Sequence, residues 1–343
     1  MDVEVEEGEV KILMPSDCLT SKYDSSVFYN KDKTFKRDLF TLAFSVLKPE
    51  KTADCMCGTG VIGCRFYKAH KSKIYFIDLN PTALNYAEKN AELNGLSDFS
   101  IEKADVNVFL SSHKFDCVVL DPFGSPTHFL DSAFRSFRKK GFLFVSSTDA
   151  ANLCGAKPKA CLRHYDSTPL DNFFCHEIGL RILLGYIARR GADYDFSIKP
   201  LLAFKHAHYF AALVEVERSA LKADDCIKRK VGFSEVDGKK IGKMWLGDFN
   251  DLEFVKLLSS KASAIGLKKQ ADFLELLENE IGMPMFYYNI HKIASKSKGG
   301  KARRFDNFIS RVQEKGFKAT RTHFNSLGLK TNAPEDLLAQ LME

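Results

Sequence analysis

An aspartate, two prolines and a phenylalanine stand together in Asp121-Pro122-Phe123-Gly124-Ser125-Pro126. Directly before them, Phe115-Asp116-Cys117-Val118-Val119-Leu120 is a short apolar run that reads as a buried parallel strand. A carboxylate at the carboxyl end of such a strand lies where open α/β sheets place their ligands. The prolines bracket the turn, which makes it stiff and poor in backbone donors. Asp121 offers an acid acceptor, Pro122 a free carbonyl and Phe123 a flat apolar face. Together they suit a grip on a planar base that carries an NH2 group. The plainer reading is a strand-to-helix turn with an aspartate cap, which leaves the double proline unused.

A second constellation lies upstream. Thr52–Met56 reads as a strand running into Cys57-Gly58-Thr59-Gly60-Val61-Ile62-Gly63. Gly58, Gly60 and Gly63 give G-x-G-x-x-G, a tight turn at a helix N-terminus that a ligand can approach closely. The next strand, Lys73–Ile77, ends in Asp78, 20 residues beyond Gly58 and suitably placed for ribose hydroxyls. A nicotinamide cofactor and S-adenosyl-L-methionine fit this pattern equally well, since both carry an adenosine ribose. The residues beyond Asp78 favour the second. Strand Ser100–Ala104 leads to Asp105-Val106, where an acid can take the adenine amino group and Val106 can support the ring. The Asp121 loop comes next, and a hydride-transferring enzyme has no use for a base grip. The loop also resembles the Asp/Asn-Pro-Pro-aromatic turn of amino-group methyltransferases acting on nucleic acid. These residues point to a methyltransferase that uses S-adenosyl-L-methionine and acts on RNA.

The elements that must hold these residues follow from periodicity. Glu4–Leu13 suits a hairpin arm, and Arg37–Leu47 a helix that Lys48-Pro49 stops. Pro81–Asn94 reads as a helix capped by Asn80 and ended by Gly95. A helix over Pro126–Lys139 leads to strand Gly141–Ser147, and a further helix spans 170–190. Strands around Phe196–Phe204 and Tyr209–Glu217 complete the set as an antiparallel edge pair. The expected fold is α/β: a doubly wound, seven-stranded Rossmann-like methyltransferase domain over 1–220. A smaller, mainly α (α+β) domain over 221–343 follows. Lys222–Lys243 reads as polar and irregular, Asp251–Leu277 as two helices joined near Gly266, and Tyr287–Lys296 as a helix. Ser297-Lys298-Gly299-Gly300-Lys301 reads as a basic link. Phe305, Phe308, Ile309 and Val312 recur at helical spacing, with Arg304, Arg311 and Lys315 off their face as a basic stripe. Phe317–Lys330 reads as a hairpin carrying Arg321 and His323.

Composition fits this division of labour. The 343 residues allow two domains, and the net charge is +6. Residues 1–216 balance at 27 basic and 27 acidic, so the excess lies beyond them; within 291–330 there are 11 basic residues against 2 acidic. A basic C-terminal part beside a neutral catalytic part suggests a polyanionic substrate, although the charge excess taken alone reads more readily as a solvated lysine-rich surface. No apolar run reaches the roughly 18–20 residues of a membrane span. The acidic Met1–Glu7 is the reverse of a signal or transit peptide. Nine scattered cysteines argue for free thiols in a reducing, cytoplasmic setting. Cys55, Cys57, Cys64 and Cys154 fall near the presumed site and read as small apolar filling.

Beyond these motifs, several blocks resemble the tRNA guanine-26 N2,N2-dimethyltransferase family. They are Asp121–Pro126, Ser147–Gly155, His176–Gly185, His208-Tyr209, Met244–Gly247, Tyr288–Lys292, Thr320–His323 and Lys330–Pro334, in family order over about 25 to 335. The resemblance implies methylation of a guanine exocyclic amine in tRNA, with no membrane and no obligatory protein partner. By position it implies that Arg37 holds the methionine carboxylate and that Asp54 and the glycines flank the methionine moiety. Asp78 then serves the ribose, and Asp105 with Val106 the adenine. Asp121 with Pro122 becomes the catalytic acceptor, and Phe123 and Phe28 stack on guanine. The charge excess over 291–330, rather than the resemblance, assigns Arg304 and Arg311, and with them Arg321, to tRNA.

Two departures stand out. The family often carries a four-cysteine zinc site before the Trp-Leu-Gly block; here that region has only Cys226, so no metal is expected. The family's Asn-Arg-Asp is Lys36-Arg37-Asp38. Three rival readings differ in test: an amino-methyltransferase for another RNA or a DNA base, a nicotinamide oxidoreductase, and a non-catalytic RNA-binding module.

Overall fold

The computed structural model describes residues 2–20, 26–296 and 305–342. Two N-terminal strands, β1 (Asp2–Glu7) and β2 (Val10–Pro15), pair as an antiparallel hairpin. Seven strands then build one sheet: β3 (Lys51–Cys55), β4 (Lys73–Asp78), β5 (Phe99–Lys103), β6 (Cys117–Leu120), β7 (Lys140–Ser147), β8 (Phe196–His206) and β9 (Tyr209–Arg218). Their order is β5-β4-β3-β6-β7-β9-β8, and β3 through β7 pair in parallel. Only Ala207 and His208 separate β8 from its neighbour β9, so that pair is a tight hairpin and runs antiparallel. Chain order reverses between β3 and β6, the place where such sheets open a crevice beyond their strand ends. β6 is buried along its whole length, as Cys117-Val118-Val119-Leu120 requires.

The chain forms two compact units with three segments each. The first is Met1–Asp149, Ile187–Leu201 and Ala211–Arg229; the second is Ala150–Tyr186, Leu202–Phe210 and Lys230–Glu343.

In the first unit, helix Thr34–Leu47 buries Leu39, Phe40, Ala43 and Phe44. It also buries Lys36 and Arg37 on the same element, which demands partners for both charges. Lys48, at φ 51°, ends the helix and Pro49 follows. Helix Pro81–Leu93 starts on Asn80, whose side chain accepts the Thr82 N–H at 2.9 Å. Its last turn clamps β2. Asn90 takes the Leu13 N–H at 2.7 Å and gives an N–H to the Leu13 carbonyl at 2.9 Å. Asn94 does the same at Lys11, at 3.0 and 2.7 Å. One helical turn rises about 6 Å over four residues and two strand residues about 6.8 Å, so the two amides meet alternate residues of the strand.

In the second unit, the stretch expected to be irregular is ordered. Helix Ala220–Lys230, itself mostly in the first unit, runs into β10 (Val231–Val236), which pairs with β11 (Lys239–Trp245). The signal overlooked was Asp237-Gly238, a two-residue hairpin turn with both φ angles positive. Helices Leu252–Ala264 and Lys268–Glu280 join at Gly266 as expected. The expected helix Tyr287–Lys296 begins instead as β12 (Tyr288–Asn289) and turns helical only at Ile290. β12 pairs with β14 (Asn325–Thr331), which pairs with β13 (Ala319–Thr322) as the hairpin foreseen there. Helix Phe305–Glu314 buries Phe308 and Val312 against Ile293, Leu329 and Leu338. Glu177, fully buried, is held by Arg181 at 2.8 Å and Lys330 at 2.9 Å, which gives the His176–Gly185 and Lys330–Pro334 blocks a structural role. The basic link at 297–301 lies outside the described residues.

Candidate active site

β6 delivers Asp121 to the crevice, where two lysines meet it, Lys36 from helix Thr34–Leu47 and Lys33 from the residue just before that helix. Lys36 Nζ stands 2.7 Å from Asp121 Oδ2 and Lys33 Nζ 3.1 Å from Oδ1. Lys36 also donates to Ser146 Oγ at 3.0 Å and has no solvent exposure. Burial pushes the Asp121 carboxyl up, but the charges of Lys36 and Lys33 and their hydrogen bonds outweigh it. The carboxyl is held far below the usual range. Burial brings Lys36 down to about 7 against the attraction of Asp121, with Lys33 adding repulsion. The sequence reading missed both lysines. A lysine four residues before Phe40 on the buried face was the available signal, since an interior charge requires a counter-ion.

The rest of the loop presents the aromatic. Gly124, at φ +75°, donates to Thr148 Oγ1 at 2.8 Å, and its carbonyl accepts the Thr148 N–H at 2.9 Å. Pinned there, the loop leaves Phe123 63% exposed, with its ring 4.3 Å from that of Phe28 and nearly perpendicular to it.

On the other side of the crevice, the glycine turn follows β3. A Cβ on Gly58 would lie 2.8 Å from the Phe28 carbonyl oxygen, and one on Gly63 2.4 Å from the Phe76 ring. The first glycine admits the neighbouring chain and the third packs the helix onto β4. Asp78, at the end of β4, accepts the Gly58 N–H at 3.1 Å and the Asn80 N–H at 2.9 Å. Asp54 lies beneath the turn, 1% exposed, and accepts the Gly63 N–H at 2.9 Å. Burial raises its carboxyl to about 8 despite that hydrogen bond, with Asp121 and Asp78 adding to the rise. Asp105 caps helix Val106–Ser112 with one oxygen, taking the Asn107 and Val108 N–H groups. That short helix was not foreseen.

A cleft of about 310 Å³ joins several of these groups: Phe28, Gly58, Asp78, Asp121, Pro122 and Phe123 line it. Ser26, Met56, Asn80 and Ala83 line it as well and were not anticipated. Arg37, Asp54, Gly60, Asp105 and Val106 are not among its walls. A larger groove in the second unit, about 530 Å³, is lined by Asp272, Glu275 and Asp306 with Lys318 and Arg321. It has neither a glycine turn nor an aromatic platform beside an acid, and the smaller cleft is the one equipped for the expected chemistry.

Arg37 occupies a different setting from the one its resemblance implied. Its Nε and Nη2 grip Glu7 of the N-terminal hairpin at 2.6 and 2.5 Å, and Nη2 also reaches the Asn30 carbonyl at 3.0 Å. Arg65 adds a bond to Glu7 at 2.7 Å and pairs with Asp38. Tyr29 donates to Glu7 at 2.7 Å. Burial pushes Glu7 up, yet the Arg37 hydrogen bond and the Arg37 and Arg65 charges hold it at about 2. The fork that would meet a ligand carboxylate is engaged inside the protein.

The arginines assigned to tRNA also have partners. Arg311 donates to the Leu341 carbonyl, and Arg321 pairs with Asp306 at 2.8 Å over the Phe305 ring. Arg304 lies outside the described residues.

A parallel sheet of this order, closed by an antiparallel hairpin, with a glycine turn after β3 and acids ending β4 and β6, defines a Rossmann-like methyltransferase. The sequence matches the N2,N2-dimethylguanosine tRNA methyltransferase family over residues 8–236 and 227–343, and the chain belongs to that family. It is 35% identical to the tRNA (guanine(26)-N(2))-dimethyltransferase of Pyrococcus horikoshii, over 99% of this chain and 98% of that one. The enzyme of the same name from Methanobrevibacter smithii is 33% identical over 99% and 96%. The solved structure of Trm1 from Pyrococcus horikoshii in complex with S-adenosyl-L-methionine superposes with a TM-score of 0.90 at 32% identity, covering 99% of this chain and all of that one.

Proposed function

We propose that this protein transfers methyl groups from S-adenosyl-L-methionine to the exocyclic N2 of guanine 26 in tRNA, giving N2-methyl- and N2,N2-dimethylguanosine. The observation that carries this reading is Asp121: an ionised acceptor at the end of the central strand, beside an exposed aromatic ring, in the cleft that also holds Gly58 and Asp78. The cleft suits the cofactor, because Gly58 admits no side chain against Phe28 and Asp78 presents its carboxylate beside that turn. Asp78 would hold the ribose, Asp105 and Val106 the adenine, and Asp54, Gly58 and Gly60 the methionine end. Arg37 would take the methionine carboxylate, which requires it to release Glu7.

When bound, S-adenosyl-L-methionine supplies an electrophilic methyl group on a sulfonium. The chain's own task is to place the guanine amine. Its lone pair is delocalised into the ring, so orientation decides the rate, and positioning alone is worth several kcal/mol. Asp121 accepts one N–H and the Pro122 carbonyl a second, turning the lone pair toward the cofactor. Phe123 and Phe28 hold the base plane. A carboxyl held so far down is a poor proton store and a strong electrostatic partner for positive charge growing on nitrogen. The proton then passes to water.

Residues 1–220 act in this reading as the catalytic domain and 221–343 as the basic tRNA-binding domain, with Arg304, Arg311 and Arg321 toward phosphate. Among the described residues no helix is long and apolar enough to cross a membrane. In this reading the enzyme is cytoplasmic and needs no obligatory protein partner. Mass spectrometry of nucleosides from tRNA incubated with the protein and S-adenosyl-L-methionine tests the proposal. The expected products are N2-methylguanosine and then N2,N2-dimethylguanosine at position 26; methylation of adenine, or of no base, overturns it.

A further inference from the structure

Cys154, Cys175 and His176 meet within the second unit. Cys154 follows the short helix Ala150–Leu153, its N–H bonded to the Ala150 carbonyl at 2.8 Å. Cys175 and His176 open helix Cys175–Ala192. One donor atom of each residue lies within 4.8 Å of the other two. All three are half-buried and face solvent in part. Cys55, Cys64, Cys117 and Cys161 differ: they sit in the interior with at most 1% exposure and act as filling. The expectation that Cys154 is filling as well does not match its partly exposed pairing with a second thiol and an imidazole.

The donor chemistry is that of a borderline-soft cation. The two thiols share a hydrogen bond, which favours the thiolate at Cys175 and holds the proton on Cys154 until a cation displaces it. Burial, and the nearby charge of Lys205, lower the proton affinity of His176. His176 Nδ1 lies 3.4 Å from the Phe324 carbonyl. A proton on Nδ1 facing that carbonyl leaves Nε2 with its lone pair, the orientation by which a second-shell carbonyl prepares an imidazole ligand. Two zinc–sulfur bonds of about 2.3 Å at a tetrahedral angle set the sulfurs about 3.8 Å apart. The cluster therefore needs only a small contraction. Lys205 opposes a dication but favours thiolates, and the negative charge of Asp171 acts on both thiols from the other direction.

We propose that Cys154, Cys175 and His176 bind one zinc ion, with solvent completing the fourth position. Three protein ligands and one open position make a different site from the four-cysteine cluster missing near Cys226, on which the expectation of no metal rested. The ion would tie helix Ala150–Leu153 to the start of helix Cys175–Ala192 and stabilise the fold by binding only the native state.

The test uses the full-length protein, reduced, stripped with a chelator and titrated with zinc alone. Elemental analysis after gel filtration should give about one equivalent. Cobalt in place of zinc should give thiolate charge-transfer absorption. Cys154→Ser and Cys175→Ser should abolish retention, and His176→Gln should weaken it at least about tenfold. Should the cysteine variants fail to fold, alkylation of the wild type replaces them: bound zinc should protect Cys154 and Cys175 and leave Cys226 reactive. Retention of less than about a tenth of an equivalent by the wild type overturns the proposal. So does undiminished retention by Cys154→Ser/Cys175→Ser, or a mass two hydrogens short that places a Cys154–Cys175 disulfide in the reduced preparation.

Discussion

Lys36 Nζ lies 2.7 Å from Asp121 Oδ2 with no solvent access of its own, across 85 residues of chain. The acid at the centre of the cleft is thus half of a buried ion pair, with Lys33 as a second cation on its other oxygen. Removing one member strands the other's charge, which typically costs about 3–5 kcal/mol. Lys36→Met should lower the melting temperature and let the Asp121 carboxyl rise toward ordinary values. Lys36→Asn keeps a donor beside Asp121 and should lose less on both counts. Thermal melts and single-turnover rates of the two variants check this; wild-type stability and rate in Lys36→Met would show that charge at Lys36 is irrelevant.

Asp121→Asn separates chemistry from binding. Methyl transfer should fall by about 10²–10⁴, as for loss of a central electrostatic group. Affinity for cofactor and for tRNA should each change less than about tenfold. Stability should drop as well, because Lys33 and Lys36 lose their counter-ion. Phe123→Ala should instead raise KM while lowering kcat, since stacking also holds the ground-state base. Near-wild-type rates for Asp121→Asn at saturating tRNA would reduce the loop to a structural turn.

Asp78→Ala should weaken S-adenosyl-L-methionine binding by about 1.5–3 kcal/mol, the value of a charged acceptor. It should also loosen the turn, whose Gly58 N–H it accepts. Calorimetry that finds unchanged affinity removes Asp78 from the ribose.

Glu7 sets an acid limit on stability. Its folded pKa of about 2 lies below the ordinary 4.5, so its contribution is full above about 4.5 and is lost as pH falls toward 2. A shift of that size corresponds to about 3 kcal/mol. Glu7→Gln should flatten the acid side of the stability curve, measured by denaturant titration at each pH. The same variant frees Arg37, so cofactor affinity should rise if Arg37 takes the methionine carboxylate. Unchanged affinity would leave Arg37 as a purely structural partner of the hairpin.

Arg304 and Arg311 are proposed to meet tRNA phosphates. Replacing both with Ala should weaken tRNA binding and reduce the slope of log K against log salt by about 1.5–2 units, one phosphate each. Arg311→Ala alone should also lower stability, through its bond to the Leu341 carbonyl. An unchanged slope would place both side chains away from RNA.

What the sequence disclosed was local. β3, its glycine turn and Asp78 declare themselves within 30 residues, and Asp121 follows a run of apolar residues that can only be interior. The hairpin at Phe317–Lys330 and the buried stripe from Phe305 to Val312 were legible for the same reason. The partners were not. Glu7 meets Arg37 across 30 residues and Lys33 meets Asp121 across 88, and neither separation has a period to detect. A buried lysine or arginine announces that a counter-ion exists without saying where along the chain it comes from. The Cys154 cluster was hidden likewise, because 21 residues separate its two thiols and no ligand spacing links them.

The asparagine clamp on β2 bears on how this protein behaves in a crowded solution. A two-stranded hairpin has two free rims, each able to recruit a strand from another molecule. Asn90 and Asn94 saturate the rim at Lys11 and Leu13 from within, while Asp2, Glu4 and Glu6 crowd the companion strand with negative charge. Intermolecular sheet growth is blocked on one rim by occupied hydrogen-bonding groups and on the other by repulsion. The segment that carries Glu7 can therefore stay at the surface without seeding aggregates.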